Sequence, residues 1–295
     1  MPRSRIYPMR LLLLSLLFPC ALLAGESLML CGGAECFVID PTQENPVKTW
    51  SWRAKDHPEL PAELSKTFGT TTDTKLIDDG KSLLISSSGG GCALLAYPSG
   101  KVLWSARVGN AHSIAGLPGG RIIVAGSLGA NQLVLFDRHK GTQVIWQTKC
   151  HSAHGVVWDE KRQRLYALNF SELLVYQLKD WSGEKPQLSL ETSAPLPDPD
   201  GHDLSPVPGG NDLAVSTKSH VWLFDRETRK FRPHPVWKDQ AAVKSIDIHP
   251  QSHRWAMVQG KQGKWWSDTL QFLEPSAERQ VRGETLYKAR WLHSH

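Results

Sequence analysis

Glu35-Cys36-Phe37-Val38-Ile39-Asp40 is the phrase on which the fold turns, because it returns five more times along the chain. The other copies are Cys92 to Tyr97, Gln132 to Asp137, Glu172 to Gln177, His220 to Asp225 and Thr269 to Glu274. Each is a run of strand-forming apolar residues ending in Asp, Glu, Gln or Tyr. Most run into a turn, as at Asp40-Pro41, Pro98-Ser99-Gly100 and Glu274-Pro275. Several turns lead to a second strand carrying tryptophan (Trp50 and Trp52, Trp104, Trp146). Strand pairs and turns repeated every 40 to 50 residues or so, a WD40-like period, are the mark of a β-propeller.

A second register supports the first. Five inner-strand segments start with a polar residue, pass a turn and enter an apolar strand, and are headed by Asp73, His112, His154, His202 and Lys244. Tyr287-Lys288-Ala289-Arg290-Trp291 begins a sixth, which the C-terminus truncates. An open ring would leave two unpaired sheet edges, so the C-terminal strand is expected to complete a blade with Leu28–Cys31, Glu35–Asp40 and Val47–Trp52. The reading is all-β: six blades of four strands, with one closure blade shared by both termini. Asp56 to Gly69 interrupts the pattern. Pro61 and the four-residue spacing of Leu60, Leu64 and Phe68 predict a short helix near 58–68, over one end of the channel.

Of the 295 residues 40% are apolar, enough for one large domain. The net charge of +5 is spread without a basic run, which gives nucleic-acid binding no support. Arg3, Arg5 and Arg10 precede the apolar stretch Leu11–Leu23 and the small pair Ala24-Gly25. That is the layout of a signal peptide over 1–24, cleaved near Ala24, with a propeller domain over 25–295 in the periplasm or secreted. The stretch is short for a membrane span. Export would leave Cys31, Cys36, Cys92 and Cys150 in an oxidising compartment. Cys31 and Cys36 flank a hairpin loop where a cross-strand disulfide fits, with buried free thiols as the alternative.

The chain resembles an uncharacterised family of exported bacterial proteins over about residues 28–291. The resemblance rests on Trp52-Arg53-Ala54, Ser86-Ser87-Ser88-Gly89-Gly90-Gly91, Asn110-Ala111-His112-Ser113, His154 to Asp159, Gly201 to Pro206 and Tyr287 to Trp291. It implies a propeller and no settled activity.

Equivalent positions on successive blades converge on one axis, so His112, His154 and His202 are expected to rim the channel mouth. Three imidazoles could face one divalent cation such as Zn or Mn, with an oxygen ligand from Asp73 or Asp203. Alternatively they contact a ligand directly, or fill the ring. Lys244, Lys288 and Arg290, with Arg53 and Lys75 nearby, would suit a small anionic or carbohydrate ligand. Lys288 and Arg290 could equally seal the ring by pairing with Asp73. The enzymatic version is a metal-assisted lyase on an acidic sugar, with His154 as base and Arg290 as neutraliser. The competing class is a non-catalytic propeller that docks a protein partner and whose histidines are structural. Trp265-Trp266 is a sugar platform or an exposed aromatic pair. No Gly-x-Ser-x-Gly elbow or phosphate loop is present.

Overall fold

The computed structural model describes residues 26–261 and 263–292; the expected signal peptide lies outside them. Twenty-four strands form six four-stranded antiparallel sheets. Blade one holds β1 (Leu28–Cys31), β2 (Cys36–Ile39) and β3 (Lys48–Trp52). Blade two holds β4 (Thr71–Ile77), β5 (Ser82–Ser87), β6 (Gly91–Ala96) and β7 (Val102–Arg107). Blade three holds β8 (Ala111–Leu117), β9 (Arg121–Gly126), β10 (Gln132–Asp137) and β11 (Val144–Lys149). Blade four holds β12 (Gly155–Asp159), β13 (Arg164–Leu168), β14 (Glu172–Lys179) and β15 (Gln187–Pro195). Blade five holds β16 (Asp203–Pro206), β17 (Asp212–Ser216), β18 (Val221–Asp225) and β19 (Lys230–Pro233). Blade six holds β20 (Val243–Ile248), β21 (Trp255–Gln259), β22 (Thr269–Leu273) and β23 (Ala277–Gln280).

The last strand, β24 (Lys288–Trp291), pairs antiparallel with β1, Leu28 opposite Trp291 and Cys31 opposite Lys288. It is the innermost strand of blade one, as the truncated sixth block predicts. The inner strands touch in the order β4, β8, β12, β16, β20, β24 and back to β4, so the ring is closed and no sheet edge is left open at the hub.

Alternation along the strands explains why the recurring phrase is apolar throughout. Successive side chains point to opposite faces, and here each face meets a neighbouring blade. Leu28 and Leu30 pack towards blade six with Val258 and Phe272, whereas Met29 and Cys31 pack towards blade two with Leu83 and Ile85. Six apolar clusters, one per blade interface, follow from this rule. Tryptophans serve the same interfaces: Trp52 and Trp104 are buried, and Trp104 donates to the Gly141 carbonyl of the next blade at 2.8 Å.

The insertion after β3 forms a helix of one turn, α1 (Ala62–Ser65), flanked by 3-10 turns at Ala54–Asp56 and Lys66–Phe68. It does not cap the channel. Leu60 and Phe68 are buried against Trp52 in the wedge between blades one and two, where Phe68 meets Trp52 edge-on at 5.5 Å. Its apolar residues pack into the apolar wedge between blades one and two, whereas the hub is polar. Cys31 and Cys36 face each other across the first hairpin as buried free thiols. Burial pushes the Cys92 and Cys150 thiols up to about 12.

Candidate functional site

The site is built at the point where each blade-to-blade connection enters an inner strand. His154, His202 and Tyr287 immediately precede their strands and donate backbone N–H to Leu168, Ser216 and Cys31 carbonyls at 2.8 to 2.9 Å. Thr72, His112 and Lys244 occupy the corresponding place as bulge residues, skipped by the pairing of β4, β8 and β20. These six residues form the first ring at one end of the hub. Asp73 is therefore not the counterpart of His112. The recurring phrase in blade two is shifted by one residue, to Gly91–Ala96, because Leu94 faces Trp104 where Leu135 faces Trp146. Asp73 falls one step deeper, in a second ring with Ser113, Gly155, Asp203, Ser245 and Lys288.

The three imidazoles do meet. The His112 and His154 ring centres are 4.4 Å apart, and those of His154 and His202 are 5.3 Å apart. Their nitrogens are largely spoken for. His112 Nε2 lies 3.0 Å from Asn110 Oδ1, which can only accept, so His112 Nδ1 accepts from the Tyr287 hydroxyl at 3.1 Å. His154 Nδ1 donates to the Ser152 carbonyl at 2.9 Å, which leaves Nε2 with the lone pair. The Lys244 ammonium can only donate, so His202 Nε2 accepts from it at 2.8 Å and the proton sits on Nδ1. That buried Nδ1 has no hydrogen-bond partner. Of the three rings, only His154 offers an uncommitted lone pair. Among the described residues no group of three or more His, Cys, Asp or Glu is arranged to hold a metal ion.

Burial keeps these rings neutral. It pushes His154 down to about 4 and, with Lys244 and His154 nearby, His202 down to about 2. His112 is lowered well below the usual histidine range by burial and by His154. Burial also lowers Lys244, against the pull of Asp200.

Beneath the first ring the hub is filled with charge. Arg290 grips Asp203 with two nitrogens, at 2.6 and 2.9 Å, and reaches Asp73 through Nε at 3.1 Å. Lys288 lies 2.9 Å from Asp203. The Lys75 ammonium meets Asp73, Ser113, and the Ile114 and Val156 carbonyls at 2.7 to 3.0 Å. A third carboxylate, Asp247, accepts from Ser205 at 2.5 Å and from the Trp291 backbone at 2.7 Å. Burial alone would raise the Asp203 carboxyl, yet Arg290 and Lys288 outweigh it and bring it to about 2. Lys75, Lys288 and Arg290 likewise hold Asp73 far below the carboxylate range.

Of the predicted site residues, then, His112, His154, His202 and Lys244 share one end of the hub. Asp73, Lys75, Asp203, Lys288 and Arg290 form the plug beneath, and Arg290 shares no hydrogen-bond partner with His154. Arg53 belongs to neither group: at the end of the outermost strand it pairs with Glu35 at 2.6 Å, as Lys48 does at 2.9 Å. Thr72 and Tyr287 are the two first-ring residues absent from the predicted site, and Tyr287 is the one with a signal. Its place before Lys288, matching that of His202 before Asp203, is the signal that could have found it. Trp265 stands at the lip, 45% exposed, with its ring 5.6 Å from Tyr287.

These features define a six-bladed β-propeller with an ionic hub plug and a histidine-lined end. Residues 32–295 match DUF6528, a family of unknown function, and the chain belongs to that family. No curated protein matches the chain. No helix among the described residues is long and apolar enough to cross a membrane.

Proposed function

We propose that the histidine-lined end of the hub binds a small anionic, sugar-like ligand. One observation carries this reading. Lys244, partly buried, makes no ion pair among the described residues, and the side chain it bonds is the neutral His202. Every other hub cation has a carboxylate within 3.1 Å. A partly buried ammonium that feels Asp200 yet makes no contact ion pair, beside a ring of neutral imidazoles, suits an incoming carboxylate or sulfate. The exposed Trp265 face at the lip suits a sugar ring. The basic and apolar N-terminal segment supports placing this site outside the cytoplasm.

Binding is favoured over turnover. A lyase would draw on the free lone pair of His154, but that ring is a weak base, and the Arg290 that would neutralise the intermediate is committed to Asp73 and Asp203. A divalent metal at the three histidines would have to displace Lys244 from His202 and Tyr287 from His112. Titration calorimetry with glucuronate, galacturonate, a sulfated monosaccharide and neutral glucose tests the reading. Binding of an acidic sugar in preference to glucose, lost in Lys244→Met, is expected. No binding of any acidic sugar, or unchanged binding in Lys244→Met, sinks it. Stoichiometric metal in the purified protein, lost in His154→Ala, would replace it with the metal reading.

A further inference from the structure

The opposite end of the hub, where the inner strands finish, opens into a cavity of about 960 Å³. Its inner wall is apolar, formed by Ile77, Leu117, Val157, Trp158 and Pro206. The cations around it are mostly neutralised: Arg138 pairs with Asp78 at 2.6 Å and Arg226 with Asp159 at 2.7 Å. The Lys75 ammonium is saturated by four oxygens.

Arg121 is the exception. It lines the cavity but makes no ion pair among the described residues, and its buried Nε has no hydrogen-bond partner. Its guanidinium carbon sits 4.4 Å over the Trp181 ring, and Trp181 is itself anchored by donating to the Pro118 carbonyl at 3.0 Å. A guanidinium stacked on a tethered indole is held in one orientation, so less entropy is lost when it receives a planar anion.

We propose that this cavity binds an amphipathic monocarboxylate, an aryl- or alkyl-carboxylic acid. The apolar body lies against Trp158, Leu117 and Val157, and the carboxylate meets Arg121. The volume lies within the range of small-molecule sites. Besides the paired charges the lining holds Glu160, whose carboxylate accepts from the Trp158 indole at 2.5 Å, and Arg121, the one lining cation without a carboxylate partner among the described residues. The other rim cations already have carboxylates, so a single anionic group is selected over a polyanion. This site is independent of the histidine ring, from which the ionic plug separates it.

The experiment is titration calorimetry on the purified protein with 3-phenylpropanoate, octanoate and the neutral 3-phenylpropanol. The carboxylates are expected to bind about tenfold or more tightly than the alcohol, as one charge-assisted pair implies. Arg121→Gln should abolish that preference while the melting temperature and circular dichroism report an intact fold. Arg121→Lys, which keeps the charge but loses the planar stack, should fall between, and serves if the Gln variant does not fold. Lys244→Met should change nothing here. The proposal is overturned if no carboxylate binds, if the alcohol binds as tightly, if Arg121→Gln keeps the preference, or if Lys244→Met removes it.

Discussion

Two adjacent layers of the hub handle polar burial in opposite ways. In the plug, Asp73 and Asp203 are fully buried yet ionised, because Arg290, Lys288 and Lys75 lie within 3.1 Å of them. In the first ring, one step along the same strands, the histidines are buried and neutral, and Lys244 has no carboxylate partner. The plug is internally complete: its charges answer one another, and a ligand would have to compete with ideal geometry. The ring is incomplete, with an unpartnered His202 Nδ1, a free His154 lone pair and an unpaired cation. Completeness marks a structural device and incompleteness a binding one. The sequence motif is shared across both layers, so the difference rests on single residues: Asp at 73 and 203 rather than at 72 and 202.

The sharpest way to break this contrast is Arg290→Met. It removes a cation held by two buried carboxylates, leaving both to rely on the two lysines. Breaking a buried pair on one side costs about 3 to 5 kcal/mol. Urea unfolding should show a loss of that size with an unchanged slope. A loss under about 1 kcal/mol would mean the plug does not hold the ring together.

The architecture was legible in the chain because a propeller writes its symmetry into its sequence. The phrase around Phe37 and Val38, with its copies around Val134 and Val175, alternates between two dry interfaces, and each copy must therefore stay apolar on both faces. The closure strand was legible because Tyr287–Trp291 begins a block that the chain does not finish. What could not be read was depth along the axis. The blade-two copy of the phrase begins at Gly91 rather than Cys92, so aligning it one residue late misplaces Asp73 by one step, and one step separates ring from plug. The insertion misled for a related reason. Leu60 and Phe68 announce an apolar face, but only the geometry of the wedge at Trp52 says which surface takes it. The cavity at Arg121 had no sequence signal at all, because its walls come from hairpins of four blades.

An effect that is smaller for each residue separates the two layers by pH. The unfolded chain protonates histidine near 6.5, whereas folded His154 holds out to about 4 and His202 to about 2. Between those values the unfolded state binds more protons, so stability is complete above about pH 6.5 and falls as the pH drops. For His154 the loss at pH 5 is about 2 kcal/mol. The plug carboxylates, lowered instead, contribute their own loss only below about pH 4. Urea midpoints at pH 7.5 and 5.0 measure the first window. His154→Gln should flatten it in part, leaving the share of His112, His202 and His234, the last of which burial also lowers to about 4. A midpoint independent of pH across that window would show that the ring is hydrated and free to charge.

The smallest expected change in stability is the most telling for function. Lys244→Met removes an ammonium that pays desolvation without an ion pair in return, and costs His202 one donor. The two effects oppose each other, so stability should move by no more than about 1 kcal/mol, while acidic-sugar binding at that end is lost. Thermal melts and calorimetry on the same sample read both. If Lys244→Met unfolds the protein as readily as Arg290→Met, Lys244 is part of the scaffold, and the distinction between a finished plug and an unfinished ring fails.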